Sequence, residues 1–177
     1  ILHGVTLNVK DGEIFGFIGQ NGAGKTTTIR SAVGILDFEQ GEIRIDGMNI
    51  KEHPLEAKQI TAYLPDNPDL YENLSGIQYL NFIADVYGIS AEKRTEKISE
   101  YAKELGIYDN LGDQIKALSH GMKQKVAIVS AFMHEPKLLV LDEPFVGLDP
   151  IASHTMKEKL RQLCDNGGSV FFSSHVL

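Results

Sequence analysis

The sequence predicts an α/β fold, with strands alternating with helices at both ends of the chain and a helical insert between them. Three stretches carry that expectation. Glu13 to Ile18 (EIFGFI) is a short, nearly all-apolar run that passes through a glycine-rich turn into a helix starting near Thr26. Leu138 to Leu141 (LLVL) is unbroken in its apolar character, as expected of a parallel strand buried on both faces. Between them, from Ser75 to Gly106, the period changes to that of helices, with serines placed to cap and glycines to stop. The predicted architecture is a mixed sheet flanked by helices, with an antiparallel hairpin portion and an inserted α-helical subdomain. At this length, residues 1–177 make one domain: a core of about 1–70 and about 123–177, and a helical subdomain of about 71–122.

Taken in order, Leu2 to Val9 (LHGVTLNV) reads as a partly alternating strand, and Lys10-Asp11-Gly12 as a turn. The helix after the glycine-rich turn ends near Gly34. Gly41 to Ile50 reads as a hairpin folded at Asp46-Gly47, the favoured two-residue turn. Ile60 to Leu64 is a further strand, ended by Pro65. A helix capped by Ser75 runs to about Tyr87 and is apolar around most of its circumference (Ile77, Tyr79, Leu80, Phe82, Ile83, Ala84, Val86). Two readings of it stay open: burial within the helical subdomain, or an exposed part that docks a partner. The helix capped by Ser90 carries mixed charge on a solvated face, with pairs such as Lys93–Glu96 and Lys97–Glu100. A helix over about Ile151 to Asp165, a Gly167-Gly168 turn and a strand over Ser169 to Ser173 close the alternation. Ile1 begins inside a strand without a methionine, and Leu177 stops just after another. A fragment truncated at both ends is therefore expected.

Composition narrows the function. A formal charge of −7 disfavours a general nucleic-acid binder, since phosphate backbones call for a basic face. No apolar run reaches the ~18 residues of a membrane span. The single cysteine, Cys164, excludes an internal disulfide and reads as a small buried side chain on a helix.

The chemistry centres on Gly19-Gln20-Asn21-Gly22-Ala23-Gly24-Lys25-Thr26-Thr27, which fits the phosphate-loop pattern G-x-x-x-x-G-K-[ST] in a strand–turn–helix setting. Glycines let the backbone curl so that several N–H groups converge on one anion, and the helix N-terminus adds its partial positive charge. Lys25 is placed to reach the β- and γ-phosphates of a nucleoside triphosphate, and the Thr26 hydroxyl to hold Mg²⁺. The fold class is thus that of a P-loop NTPase core. Asp142 and Glu143 put two carboxylates at the C-terminal end of a buried strand, the edge at which ligands of open α/β sheets sit. Asp142 is expected to hold Mg²⁺ through water, and Glu143 to orient or deprotonate the water that attacks the γ-phosphate.

Over essentially its whole length the chain resembles the nucleotide-binding subunit of ATP-binding cassette (ABC) proteins. Leu118-Ser119-His120-Gly121-Met122 resembles the family signature L-S-G-G-Q, Gly147-Leu148-Asp149-Pro150 the D-loop, and Ser174-His175 the switch histidine. The resemblance implies that ATP is the nucleotide, and that two cassettes close head to tail over two ATP molecules. Ser119 and Gly121 of one then face the ATP held by the other, Asp149 couples the halves and His175 senses the γ-phosphate. Ser119 also reads as a helix N-cap whose following amides form an anion site without a charged side chain. Standing alone, Ser119 merely caps, Asp149 merely turns the chain before Pro150 and His175 merely ends a strand. His120 and Met122 depart from the usual signature and resemble the variant of ABC-2 exporters. Asp66, after Pro65, aligns with the Q-loop glutamine, where a carboxylate meets Mg²⁺ directly or through water. The implied partners are a second cassette, as homo- or heterodimer, and separate membrane-spanning subunits, with no nucleic acid. The implied location is the cytoplasmic face of the cell membrane. Two rivals remain open on sequence: a soluble ABC ATPase acting on ribosomes or DNA, and a cassette that binds ATP but hardly hydrolyses it.

Overall fold

The computed structural model describes residues 4–175, and the chain divides into two compact units: Ile1–Asp66 with Pro136–Pro144 and Leu160–Leu177, and Asn67–Glu135 with Phe145–Lys159. In the first unit a four-stranded, wholly parallel sheet has the order β1-β6-β5-β4, formed by β1 (Ile14–Ile18), β4 (Thr61–Leu64), β5 (Leu138–Asp142) and β6 (Ser169–Ser174). The antiparallel portion is a separate hairpin, β2 (Arg44–Ile45) with β3 (Met48–Asn49), turned at Asp46-Gly47 as the sequence predicts. Helix α1 (Lys25–Ala32) packs its buried Ile29 against Val140 and Phe171 of the central strands, with Phe15, Phe17 and Tyr63 around them. Helix α2 (Pro54–Gln59) closes a smaller cluster in which Ala57 meets Ile45 and Ile50. Helix α2 is not among the elements expected from the sequence, although Pro54 at its first position is a helix-start signal.

The register decides where the chemistry lies. Ile18 pairs with Ser174, Asp142 with Ser173 and Leu64 with Leu141. Because all four strands run the same way, Gly19, Glu143, His175 and Pro65 leave the sheet at one edge, the one at which parallel α/β sheets bind ligands. Residues 4–10 form no strand among the described residues, in contrast to the strand expected over Leu2 to Val9, whose first residues lie outside them. Apolar alternation yields a strand only where a neighbouring strand accepts its hydrogen bonds.

The second unit is helical. Helices α3 (Gly76–Val86), α4 (Ala91–Glu104) and α5 (His120–Phe132) pack on one another, and Leu80, Ala84, Ile98, Ala102, Val126 and Val129 are all nearly or fully buried. Ser75 and Ser90 cap α3 and α4 as predicted, Ser75 within a reciprocal capping box with Gln78. Helix α3 buries Leu80 and Ala84, yet leaves Phe82 and Val86 exposed, with the exposed Tyr71 edge-on to Phe82. On α4, Lys97 pairs with Glu100, while Lys93 pairs with Glu135 rather than with Glu96. The unit also includes all of α5 and the first part of α6 (Pro150–Asp165), whereas the sequence predicts a return to the core at about residue 123. Among the described residues no helix is long and apolar enough to cross a membrane.

Candidate nucleotide site

In the first unit, Gly22 and Gly24 take φ of 82° and 91°, a region that L side chains rarely adopt, so the loop between β1 and α1 requires glycine there. Gly24 is the N-cap of α1 and supplies no side-chain acceptor, which leaves first-turn amides available to an anion. Lys25 is buried, and its Nζ donates to the carbonyls of Gly19 at 2.6 Å and Gln20 at 3.1 Å. Among the described residues its ammonium meets carbonyl dipoles and no carboxylate, so the loop carries a fixed cation whose charge only an external anion would neutralise. Asn21, Gly22, Ala23 and Thr27 are exposed along the loop, and Thr26 is half-buried in the first turn of α1.

Asp142 is 1% exposed. Its Oδ1 accepts the Ser173 hydroxyl, while its Oδ2 has no hydrogen-bond partner among the described residues. A buried carboxylate oxygen without a donor has the chemistry of a hard-cation ligand, so Asp142 fits Mg²⁺. Glu143 follows with φ 49°, left-handed for a non-glycine residue, a strain of roughly 1–3 kcal/mol of the kind concentrated at functional sites. Its carboxylate Oε2 lies 2.9 Å from Nδ1 of His175. Those two residues stand 32 apart in the chain (175 − 143) and are joined because β5 and β6 are register neighbours. The Tyr63 phenol is pushed up by burial, with the Arg30 guanidinium opposing and the Asp142 and Asp66 carboxylates adding to the rise. Asp66 itself is exposed. Among the described residues no three His, Cys, Asp or Glu side chains are placed to hold a metal ion together, so a Mg²⁺ site here would need hydroxyl, water or phosphate oxygens beside Asp142.

In the second unit, Ser119 caps α5 by accepting the Met122 N–H at 3.3 Å. Gly121, in the first turn, approaches the Gly147 carbonyl so closely that a Cβ would lie 2.8 Å from its oxygen. A Cβ on Gly147 would in turn lie 2.8 Å from Cδ2 of His120, so the signature histidine covers the D-loop glycine. Asp149 accepts the Ala152 N–H at 2.8 Å and pairs with Lys125 at 2.6 Å. The amide first and the ammonium second hold its carboxyl below the ordinary aspartate range.

Two clusters thus form. Lys25 lies within its loop and Asp142, Glu143 and His175 at the sheet edge of the first unit, while Ser119, Gly121 and Asp149 gather in the second. Residues 2–146 match the family model described as ABC transporter. The chain belongs to the ABC transporter family. It is 38% identical over 177 residues to the ABC-type transporter ATP-binding protein EcsA of Bacillus subtilis (strain 168), spanning all of this chain and 72% of that protein. It is 39% identical over 180 residues to the uncharacterized ABC transporter ATP-binding protein YhcH of the same strain, of which it spans only 57%. A solved structure of an ATP-binding subunit of an ABC transporter superposes with a TM-score of 0.95 at 38% identity, over 99% of this chain and 73% of that one. ATP-binding domains of this family are ATPases, and this cassette is one of them.

One polar residue at the cassette's sheet edge escaped the sequence reading: Ser173, fully buried and bonded to both consecutive acidic residues. The available signal was a hydroxyl two residues before His175, directly after the apolar run Val170-Phe171-Phe172.

Proposed function

We propose that this cassette powers an ABC transporter, of the ABC-2 exporter type, by binding and hydrolysing ATP at its phosphate loop. The observation that carries the reading is the Glu143–His175 contact of 2.9 Å beside the buried, half-satisfied Asp142, at the edge where the phosphate loop also leaves the sheet. Gly19, Asn21, Gly22, Ala23, Gly24 and Thr27 wrap the triphosphate with backbone and hydroxyl donors, and Lys25 holds the β- and γ-oxygens. Thr26 and Asp142 would hold Mg²⁺, and Asp66 would meet it directly or through water. Mg²⁺, when bound, neutralises charge on the phosphate oxygens. Glu143 accepts the proton of the attacking water as its oxygen bonds to the γ-phosphorus and the bond to ADP breaks. His175 holds the Glu143 carboxylate in place and contacts the γ-phosphate.

Ser119 and Gly121 serve the ATP of a second cassette that closes head to tail on this one, and Asp149 couples the two halves. The membrane-spanning partners are separate polypeptides or other parts of a longer one. Tyr71, Phe82 and Val86 give the helical unit an exposed apolar face suited to them. That arrangement puts the cassette at the cytoplasmic face of the membrane.

The test uses the full-length protein. Glu143→Gln is expected to keep ATP binding and to lower kcat by at least about a hundredfold, the scale of a lost general base. Equal activity of the wild type and the variant would remove Glu143 from the mechanism. Fractionation tests transport: recovery with a multi-spanning membrane partner supports it, and recovery with ribosomes or DNA refutes it.

A further inference from the structure

We propose that Ser173 is the positioning residue of the acidic pair, holding Asp142 in the orientation that presents its second oxygen to Mg²⁺; this rests on the nucleotide-site reading above. Asp142 and Ser173 are partners in the parallel register of β5 and β6, so their side chains leave the sheet on the same face, side by side. It is also the face of Val140 and Phe171, the partners two residues earlier, onto which Ile29 of the phosphate-loop helix packs. Both side chains are buried, Asp142 to 1% and Ser173 to 0% exposure, so water does not reach the contact to substitute for a lost hydrogen bond.

A serine hydroxyl has one proton to give and lone pairs to accept with. In this site the proton goes to Asp142 Oδ1, and the oxygen accepts the Glu143 N–H at 3.3 Å. The Glu143 amide has a second acceptor, the Ser173 carbonyl, also at 3.3 Å. Asp142 Oδ1 has no such alternative among the described residues. Removing the hydroxyl therefore leaves the backbone of Glu143 supported while it frees the Asp142 carboxylate to rotate. The orphaned Oδ2 is then no longer fixed, and the cost falls on the metal-dependent part of nucleotide binding rather than on the phosphate loop.

The test compares Ser173→Thr with Ser173→Val in the full-length protein. The two side chains have the same shape and differ only in the hydroxyl, so any packing penalty in the buried site is shared. ATP affinity is measured in EDTA and in Mn²⁺, and bound Mn²⁺ is followed by electron paramagnetic resonance. In EDTA all three proteins are expected to bind ATP alike. In Mn²⁺ the wild type and Ser173→Thr gain affinity, whereas Ser173→Val loses roughly tenfold to a hundredfold of that gain, the scale of one hydrogen bond to a charged group. Threonine and valine variants that keep the gain equally, or lose it equally, overturn the role of Ser173 and leave the nucleotide-site reading standing. A wild-type protein that binds no ATP in either condition overturns that reading, and this inference with it.

Discussion

Gly121 tests the packing of the signature helix in a single atom. In Gly121→Ala the new methyl would sit 2.8 Å from the carbonyl oxygen of Gly147, where ordinary van der Waals contact begins at 3.4 Å. The obstacle is backbone, and it has little room to yield. Gly147 has φ 82° and lies under His120, and two residues on Asp149 is tied to both Lys125 and Ala152. Overpacking of this kind costs about 1–3 kcal/mol, partly offset by up to ~1 kcal/mol of helix propensity gained over glycine. A net loss of about 1–2 kcal/mol corresponds to a fall in Tm of roughly 2–8 °C at this chain length. The assay is thermal unfolding, with Gly112→Ala as control, since a Cβ at Gly112 meets nothing within 4 Å. The control is expected to stay within about 1 °C of wild type, in line with surface substitutions. Because the same shift moves the turn of α5 proposed to face ATP, Gly121→Ala is also expected to lower ATP turnover. A Tm equal to that of the control would refute the steric argument.

Ser75→Ala removes the hydroxyl that accepts the Gln78 N–H and is expected to cost about 1 kcal/mol, read as a lower denaturant midpoint with an unchanged m-value. Asp149→Asn keeps an oxygen for Ala152 but loses the Lys125 pair, one member of which is about half exposed, so the loss at neutral pH is expected to stay below about 1 kcal/mol. The pH dependence has a definite sign. The folded carboxyl titrates below its ordinary value, so its contribution is complete above the usual aspartate range and is lost as pH falls through the lower, folded value. Thermal melts of wild type and Asp149→Asn are therefore expected to converge in acid; a gap that persists at the lowest accessible pH excludes the ion pair as its cause.

What could be read without coordinates was local. The phosphate loop is a run of nine residues whose glycines turn its own backbone and whose Lys25 ammonium bonds the loop's own carbonyls, so its order alone made it legible. Ser75, Ser90 and Ser119 cap the helices that immediately follow them, because a capping hydroxyl bonds an amide three residues on. The continuous apolar run of β5 required burial on both faces, and with it a parallel sheet.

Long-range pairing was decided only by the tertiary structure. The sequence offered Lys93 a partner one helical turn away, yet it joins Glu135, because surface pairs are weak and tertiary proximity overrides them. Residues 4–10 alternate like a strand without pairing as one. Glu143 meets His175, and Asp142 meets Ser173, through the register of two strands separated by a whole helix. Gly121 faces Gly147 for the same kind of reason: periodicity says which side of a helix is apolar, but the loop that comes to lie against it is fixed by how distant segments fill space together.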